Sequence, residues 1–271
     1  MEKFGIITNA DKDQNMSVTR TIEAYLEKHN KVWTKDWQHF KEMDVLLVLG
    51  GDGTFIQTAR QYVKFGVPLL GINLGTLGFL TAVEKDHVIR ALDCLMAGDY
   101  EVESRMMLTG RVIHKGQTIA EAGAVNDVII NRTGFSRLVE LKLWVSQSLV
   151  DIYAADGVIV STPTGSTGYN LSAGGPIVYP ENDVIIVTPI CPHSLTARSI
   201  VVSGSQSVAV EIGRRKKTQQ EEAMVTYDGQ TAVRLETSDR VEIVRSAERV
   251  KMIRLKDSNF YEILRNKLGN V

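Results

Sequence analysis

Two continuous apolar segments near the N-terminus constrain the fold more than any other feature of this sequence. Residues 44–49 read Asp-Val-Leu-Leu-Val-Leu, and residues 67–72 read Val-Pro-Leu-Leu-Gly-Ile. Such runs, without polar alternation, are typical of strands covered on both faces, as in parallel sheets. Apolar residues at helical spacing occur at 17–26, 54–65 and 86–96, before, between and after these runs. The first hundred residues are therefore predicted to form βαβ units around a parallel, Rossmann-like sheet.

Three residues predict where these helices begin and end. Ser17 and Asp86 carry side-chain oxygens that can accept a hydrogen bond from a first-turn amide, so we expect each to cap its helix. Gly66 follows the second helical segment and is predicted to end it.

The pattern changes after about residue 100. Short β-branched runs follow one another there, separated by Gly, Asp, Asn or Ser. Residues 139–143, for example, alternate as Val-Glu-Leu-Lys-Leu, which is the period of a half-buried strand. Helical spacing returns at residues 258–268. The chain is therefore predicted to contain an α/β domain over residues 1–100 and a β-rich domain over residues 101–250.

Composition excludes several classes of protein. Apolar residues make up 44% of the 271 residues and the formal net charge is −1, so disorder and a strongly basic nucleic-acid binder are both disfavoured. No apolar run approaches the length that spans a bilayer, and the N-terminus lacks a signal-peptide pattern. Cys94 and Cys191 show no disulfide or metal spacing. We therefore expect a cytoplasmic protein that binds neither nucleic acid nor membrane.

The most informative local motif is the pentapeptide Gly50-Gly51-Asp52-Gly53-Thr54, which lies between a buried strand and a helix. Its glycines leave the backbone amides uncovered beside a helix N-terminus, and such an arrangement binds anions. Asp52 is the acidic residue of this loop, and it could accept a proton from an attacking hydroxyl or hold a magnesium ion. The structural alternative is a Gly-Asp-Gly turn without a ligand. The P-loop, the Gly-x-Gly-x-x-Gly fingerprint and the His-Glu-x-x-His zinc motif are all absent.

Further polar clusters follow later strands. Residues 73–80, Asn-Leu-Gly-Thr-Leu-Gly-Phe-Leu, parallel the first loop in position and could line the same cleft or form a simple turn. Asn126 and Asp127 are adjacent in a β run, so one of them should face inward and need a partner, either a ligand or an internal hydrogen bond. Residues 156–176 carry many hydroxyls and glycines together with Tyr169, which suits a ribose, a pyrophosphate or an adenine. His193 on its own is more typical of a structural residue.

These blocks together resemble the NAD kinase family. The matching pieces are GGDGTF (50–55), NLGTLGFL (73–80), Asn126-Asp127, the segment 156–176 with STPTGSTGYNLSAGGP, and TPICPHSLTARSIV (188–201). They occur in the family's order and spacing. GGDGT is shared with lipid kinases, whereas the long hydroxyl-rich segment is much more specific. At 168 the chain has Gly where many relatives have Ala, and its Asn/Asp pair is often Asn/Glu elsewhere.

The resemblance implies a fold and an assembly. The β-rich domain would be β-sandwich-like, and the C-terminal helix, within residues 251–271, would return to the N-terminal domain. The second domain would bind NAD and form homo-oligomers, dimers or tetramers, with residues of one subunit completing the site of another.

The resemblance also implies a reaction, the phosphorylation of the adenosine 2′-hydroxyl of NAD to give NADP. The donor would be ATP or polyphosphate, and Mg²⁺ would be carried by the donor rather than by a protein metal site. Asp52 matches the proposed catalytic aspartate, and Asn126 and Asp127 match the pair that holds the adenosine portion of NAD. The full set of residues expected to bind substrate or nucleotide is Gly50, Gly51, Gly53, Thr54, Asn73, Phe79, Asn126, Asp127, Arg137, Ala154, Asp156, Thr167, Gly168, Tyr169, Asn170, Leu171, Ser172 and Gln230.

Other functions share parts of this pattern. A lipid kinase of the diacylglycerol or sphingosine type would share GGDGT but has no use for the 156–176 loop. A non-catalytic NAD-binding sensor would have little need of Asp52 beside phosphates. A sugar kinase of the phosphofructokinase type also uses Gly-Gly-Asp loops but would need a basic site for a sugar phosphate.

Overall fold

The computed structural model describes residues 1–75, 78–81, 83–133, 138–194, 196–214, 222–256 and 259–269. The chain divides into two compact units, one comprising Met1–Arg105 with Val250–Val271 and the other Met106–Arg249. These bounds differ by a few residues from the predicted 1–100 with 251–271 and 101–250.

The described residues form the following elements. The α-helices are α1 (Ser17–Lys28), α2 (Asp52–Tyr62), α3 (Val88–Ala97), α4 (Tyr169–Ser172) and α5 (Phe260–Leu268). The strands are β1 (Lys3–Thr8), β2 (Val32–Thr34), β3 (Val45–Gly50), β4 (Leu69–Asn73), β5 (Val83–Glu84), β6 (Tyr100–His114), β7 (Gln117–Ala124), β8 (Asp127–Arg132), β9 (Val139–Val145), β10 (Ser148–Ala155), β11 (Gly157–Ser161), β12 (Val184–Ile190), β13 (Ile200–Ser203), β14 (Val208–Ile212), β15 (Glu222–Tyr227), β16 (Thr231–Glu236) and β17 (Arg240–Leu255). Short 3-10 turns occupy 14–16, 37–42, 63–65, 85–87 and 164–167.

A parallel sheet forms the centre of the first unit, as predicted. Its strand order is β2-β1-β3-β4, and β5 pairs with β4. Leu47 in β3 pairs with Ile6 on one side and Leu70 on the other. Every residue of β3 and β4 is buried, which explains the two uninterrupted apolar runs. The α/β assignment is therefore confirmed.

The helix ends differ in detail from the predicted ones. Helix α1 begins at Ser17, but its Val18 and Thr19 amides donate to Asp13, so Asp13 is the capping side chain. Residues 85–87 form a 3-10 turn, so α3 begins at Val88 and Asp86 makes no cap hydrogen bond. Gly66 adopts φ 67° after the helical segment, as its role as a stop requires.

The second unit contains two antiparallel sheets. One has the order β13-β12-β11-β8-β15-β16, and the other includes β10-β9-β14-β17 together with β6 and β7. A single apolar core joins residues of both sheets, including Leu141 of β9 and Val158 of β11. This arrangement confirms the β-rich, sandwich-like architecture.

The C-terminal helix belongs to the first unit. Asn259 caps α5 by accepting a hydrogen bond from the Tyr261 amide, and the predicted start at Ser258 lies outside the described residues. None of the helices in the described ranges is both long and apolar enough to cross a lipid bilayer.

Candidate functional site

The Gly50–Thr54 loop lies at the carboxyl end of β3 and opens helix α2. Gly50 is the last residue of β3, Gly51 precedes the helix in an extended conformation, and Asp52 is its first residue. Helix α2 thus begins two residues before the predicted Thr54. A Cβ added at Gly53 would meet no atom within 4 Å. The loop therefore has open space beside Gly53, at a helix N-terminus that favours negative charge.

Asp52 joins this loop to the second glycine cluster. Its Oδ1 accepts hydrogen bonds from the Leu80 amide (3.2 Å), the Thr81 amide (3.2 Å) and the Thr81 hydroxyl (3.0 Å). Its Oδ2 accepts one from the Phe79 amide at 2.8 Å. Within the described residues, Oδ2 is thus the oxygen with more capacity left for a further donor.

The second glycine cluster is shaped around the Asp52 carboxylate. A Cβ at Gly78 would overlap Oδ1 of Asp52, so a larger residue there would displace the carboxylate. Phe79 lies with its ring 5.6 Å from the Lys267 ammonium. Thr76 and Leu77 lie outside the described residues. The two glycine loops, which could line one cleft or form separate turns on sequence alone, are thus connected directly through Asp52.

Asn73 ends strand β4 beside the first loop and pairs in register with Gly50. Its Oδ1 accepts a hydrogen bond from the Gly75 amide at 2.8 Å. Its Nδ2 is buried and has no hydrogen-bond partner in the described part of the chain. Because an unpaired buried donor costs free energy, this amide group is suited to an acceptor supplied by a ligand.

The turn between β1 and α1 also lies against the first loop, although no motif in the sequence predicts it as part of the site. Asn9 donates from its backbone to the Leu49 carbonyl (2.9 Å) and from Nδ2 to the Thr54 hydroxyl (3.1 Å). Lys12 follows in the same turn. The signal that could have identified it is position, because the turn follows the carboxyl end of a third parallel strand.

In the second unit, Asn126 and Asp127 lie at the start of β8. The Asp228 carboxylate accepts hydrogen bonds from the Val125, Asn126 and Asp127 amides at 2.9, 2.7 and 3.1 Å. Asp228 lies in the β15–β16 turn with φ 50°. It therefore holds the backbone of the Asn126-Asp127 pair in place.

Asp127 is the inward-facing member of the pair and is 5% exposed. Burial, together with the nearby negative charge of Asp228, raises its pKa from 3.8 to about 7. The Oδ1 atom of Asn126 is buried and has no hydrogen-bond partner in the described residues. Both side chains thus retain hydrogen-bonding capacity that a polar ligand could use.

Several polar side chains of the hydroxyl-rich segment 156–176 point inward and bond to the protein itself. Thr162 donates from its hydroxyl to the Val125 carbonyl (2.7 Å) and accepts from the Gly165 amide (3.0 Å). Asn170 is fully buried, and its Nδ2 donates to the Ser166 and Pro176 carbonyls. A Cβ at Gly165 would overlap the Asn126 carbonyl oxygen. These buried contacts stabilise the conformation of the loop and pack it against residues 125–126.

The outer residues of this loop remain available for contact with a ligand. Tyr169 begins α4 and is 44% exposed. Gly168 lies near Asn126, since a Cβ there would be 3.8 Å from the Asn126 Nδ2. Thr164 has a buried hydroxyl without a partner in the described ranges. The remaining predicted contacts on this loop, half-buried or exposed, are Thr167, Leu171 and Ser172.

A second group of predicted residues lies at the other end of the β8–β11 pair. Asp156, just before β11, accepts a hydrogen bond from the Arg132 Nε at 2.6 Å. The Ala154 carbonyl accepts one from the His193 amide at 2.8 Å. Five steps of about 3.3 Å separate Asp127 from Arg132 along β8, or roughly 17 Å. The structure thus places the Asn126–Asp127 group and the Asp156 group apart.

Gln230 and Arg137 are the remaining predicted contacts. Gln230 is exposed in the β15–β16 turn, where its amide donates to the Tyr227 carbonyl at 3.0 Å. Gln230 therefore shares a turn with Asp228. Arg137 lies outside the described residues.

Comparison with known families matches nearly the whole chain. The model of the ATP-NAD kinase N-terminal domain matches residues 8–100, and that of the ATP-NAD kinase C-terminal domain matches residues 125–255. The NAD kinase of Lachnoclostridium phytofermentans is 44% identical, with 100% of both chains covered. That of Caldanaerobacter subterraneus is 42% identical, with 99% of each chain covered.

Solved structures show the same fold. Yeast NADH kinase complexed with NADH has a TM-score of 0.86 at 22% identity, covering 100% of this chain and 88% of the other. An NAD kinase from Archaeoglobus fulgidus in complex with ATP has a TM-score of 0.80 at 23% identity, covering 99% of each. Because both family models and full-length relatives above 40% identity match, this chain belongs to the NAD kinase family.

Proposed function

We propose that this chain transfers the terminal phosphoryl group of ATP to the adenosine 2′-hydroxyl of NAD, giving NADP and ADP. The observation that carries the proposal is the Asp52 carboxylate, held at the N-terminus of α2 by the amides of Phe79, Leu80 and Thr81. The hydroxyl oxygen forms the new bond to the γ-phosphorus as the bond to the β-phosphate oxygen breaks. The hydroxyl proton passes to Oδ2 of Asp52. Phosphoryl transfer depends mainly on such positioning and on charge stabilisation.

The amides of residues 50–53 would hold the donor phosphates. The Archaeoglobus relative was solved with ATP, which supports ATP as the donor; polyphosphate offers the same phosphate chemistry. Gly53→Ala tests this site, since a methyl group there meets no protein atom within 4 Å. We expect the variant to fold like the parent yet to bind ATP at least about tenfold more weakly, because the methyl group would occupy the phosphate space. Unchanged ATP affinity would contradict the assignment.

Magnesium would arrive with the donor. Mg²⁺ commonly binds substrate phosphates and keeps several of its waters, so the donor rather than a protein site would hold the ion. No cluster of three or more His, Cys, Asp or Glu side chains suited to a metal occurs in the described residues. The ion would neutralise charge on the phosphate oxygens.

NAD would contact the second unit. Asn126 and Asp127 would bind the adenosine portion through their unused hydrogen-bonding capacity, and Tyr169 would offer an aromatic face. The yeast relative was solved with NADH, which supports a dinucleotide ligand. The outer residues Thr167, Gly168, Leu171 and Ser172 would complete this contact surface.

We further propose a homo-oligomer, a dimer or tetramer, in which the Asp156 group serves the site of a partner subunit. The separation of roughly 17 Å along β8 supports this division. Strand β10 also exposes Leu149, Val150 and Ile152 at the end of its sheet, and apolar edge strands favour pairing with a second copy. The cytoplasm is the proposed location, since Cys94 and Cys191 are both free thiols.

The decisive experiment is an assay of purified protein with NAD, ATP and Mg²⁺, in which NADP is read with an NADP-specific dehydrogenase. Asp52→Asn is run alongside, because it removes the charge and the proton acceptor while keeping the size. We expect the parent to form NADP and the variant to lose turnover by about 10²–10⁴ while keeping much of its NAD affinity. A variant within about tenfold of the parent would contradict the role of Asp52. No NADP from the parent, with polyphosphate or Mn²⁺ also tried, would reject the reaction.

A further inference from the structure

The turn between β1 and α1 is built to a fixed shape against the Gly50–Thr54 loop. Asn9 donates hydrogen bonds to Leu49, next to the loop, and to Thr54 of the loop. Its carbonyl accepts hydrogen bonds from the Lys12 and Asp13 amides, both at 3.1 Å. At the other end of the turn, Asp13 is 2% exposed. Its carboxylate accepts hydrogen bonds from Ser17, Val18 and Thr19 of α1. Lys12 lies between two anchored residues, so its backbone position is well defined.

The Lys12 ammonium lies beside the glycine loop. A Cβ added at Gly51 would be 2.9 Å from the Lys12 Nζ, so the ammonium lies close over that glycine. Lys12 itself is exposed. In the described residues, no carboxylate lies within salt-bridge distance of Lys12. Among the described residues, the Lys12 ammonium thus lies beside the loop without a carboxylate counter-ion.

Two nearby carboxylates, those of Asp13 and Asp52, are already engaged elsewhere. Asp13 accepts four hydrogen bonds from the start of α1, and Asp52 accepts four from residues 79–81. A further donor lies at the adjacent strand end, where the buried Nδ2 of Asn73 has no partner in the described residues. The positive charge follows β1 and the unused amide donor ends β4, the two strands that flank β3. This placement matches an extended anion with several acceptor oxygens.

We propose that Lys12 is a ligand of the donor's phosphate chain, binding it across Gly51 from the β1–α1 turn. The inference rests on the proposed function in taking the donor to be a nucleoside triphosphate or polyphosphate. The phosphate chain of the donor carries several negative charges, and the Asp52 carboxylate adds another at the same loop. Backbone amides supply hydrogen bonds but no net charge. Lys12 supplies the point charge that a lysine commonly contributes at phosphate sites.

Lys12→Met tests the proposal, because it removes the charge and keeps most of the chain length. Lys41→Met is the matched control, since Lys41 is also exposed and lies in the 3-10 turn over residues 37–42. Binding of inorganic tripolyphosphate is measured by calorimetry, and KM for ATP and for NAD by the coupled assay. We expect Lys12→Met to weaken tripolyphosphate binding and raise KM for ATP by about tenfold or more, with KM for NAD within about twofold. Lys12→Arg should recover most of the loss.

Different results would overturn the role of Lys12 and the proposed reaction. Tripolyphosphate binding that is equal in the parent and in Lys12→Met would overturn the role of Lys12, even if NADP is formed. Equal weakening by Lys41→Met would overturn it as well, since the effect would then be one of overall charge. Tripolyphosphate binding that depends on Lys12, in a parent that forms no NADP, would support this inference and reject the proposed reaction.

Discussion

Gly78 illustrates how a single residue can position the proposed catalytic group. Its missing side chain leaves room for the Asp52 carboxylate, which a Cβ at 78 would overlap. We predict that Gly78→Ala displaces this carboxylate and lowers kcat by about a hundredfold, the scale expected for a misplacement of about 1 Å. Gly75→Ala is the control, since a Cβ there meets nothing within 4 Å. Steady-state kinetics of the two variants would be compared, and equal activities would contradict the positioning role.

Asp127 makes folding stability depend on pH. Its pKa is raised from 3.8 to about 7 by burial and by Asp228, so between these values the folded protein holds a proton that the unfolded chain has lost. The contribution of Asp127 to stability therefore falls as pH rises through this window and stays low above about pH 7. We predict that Asp127→Asn is more stable than the parent by roughly 2–4 kcal/mol at pH 8, and that the difference shrinks toward pH 4.

Urea unfolding of parent and variant across this pH range provides the measurement. Glu181→Gln, an exposed change in the same unit, should leave the profile unaltered. A difference between Asp127→Asn and the parent that does not vary with pH would contradict the raised pKa.

At the residue scale, the sequence predicts Asp52 as a candidate catalytic residue but does not predict the hydrogen bonds that hold it. A Gly-Asp-Gly motif after an apolar strand is visible as letters, whereas its hydrogen-bond donors come from residues 79–81, far along the chain. Lys12 was missed for a related reason. From sequence alone, a lysine in a polar turn is predicted to be a solvated surface residue. Only the folded structure shows that its ammonium lies close to Gly51.

At the scale of elements, the β1–α1 turn depends on one buried carboxylate, that of Asp13. Asp13 accepts hydrogen bonds from the Val18 and Thr19 amides, which would otherwise be left without partners at the start of α1, and from the Thr19 hydroxyl. We predict that Asp13→Ala lowers the free energy of unfolding by about 1–3 kcal/mol. Asp11→Ala, an exposed neighbour, should change it by less than about 0.5 kcal/mol. Chemical denaturation measures both.

Acid should remove this contribution of Asp13. Burial acts to raise the pKa of Asp13, but the hydrogen bonds from Thr19, Val18 and Ser17 outweigh it, and the pKa lies below 3.8. Its stabilisation is therefore present above the unfolded value and is lost as pH falls through the folded pKa. A loss in Asp13→Ala that persists unchanged in strong acid would contradict this role.

The sequence predicts the types of the secondary-structure elements well, but it predicts the side-chain contacts inside the loops less well. The buried runs of β3 and β4 leave few alternatives to a parallel sheet. The hydroxyl-rich segment 156–176 was predicted to suit a ligand, yet its Thr162 and Ser166 hydroxyls bond the protein's own backbone. Composition reveals that a loop is rich in donors, but the direction of each donor is set by the packing around it.

For the whole molecule, the separation of the two residue groups on β8 and β11 leads to a test of shared sites. We predict that Asn126→Ala and Asp156→Ala are each nearly inactive as pure proteins. In a mixed dimer one of the two sites is intact, so purified mixed dimers formed by coexpression should recover up to about half of parental activity. The unfractionated population, in which about half of randomly paired dimers are mixed, should recover up to about a quarter.

Differently tagged chains allow the mixed species to be purified and assayed. Asn126→Ala mixed with Asp127→Ala serves as the control, since both residues lie at the same end of β8, and no recovery is expected. Failure of verified Asn126→Ala and Asp156→Ala mixtures to recover activity would place both groups in one subunit's site.

The connection between Asp52 and residues 79–81 has a thermodynamic consequence. A proton or a cation that neutralises this carboxylate weakens the hydrogen bonds that the three amides donate to it, and such coupling is reciprocal. The backbone of residues 79–81 should therefore open more readily whenever Asp52 is neutralised. Hydrogen–deuterium exchange at the Phe79, Leu80 and Thr81 amides should accelerate in Asp52→Asn, whereas exchange within β3 should not change. Solvent exchange at three amides would then report, without any assay of turnover, how strongly the proposed catalytic carboxylate is occupied.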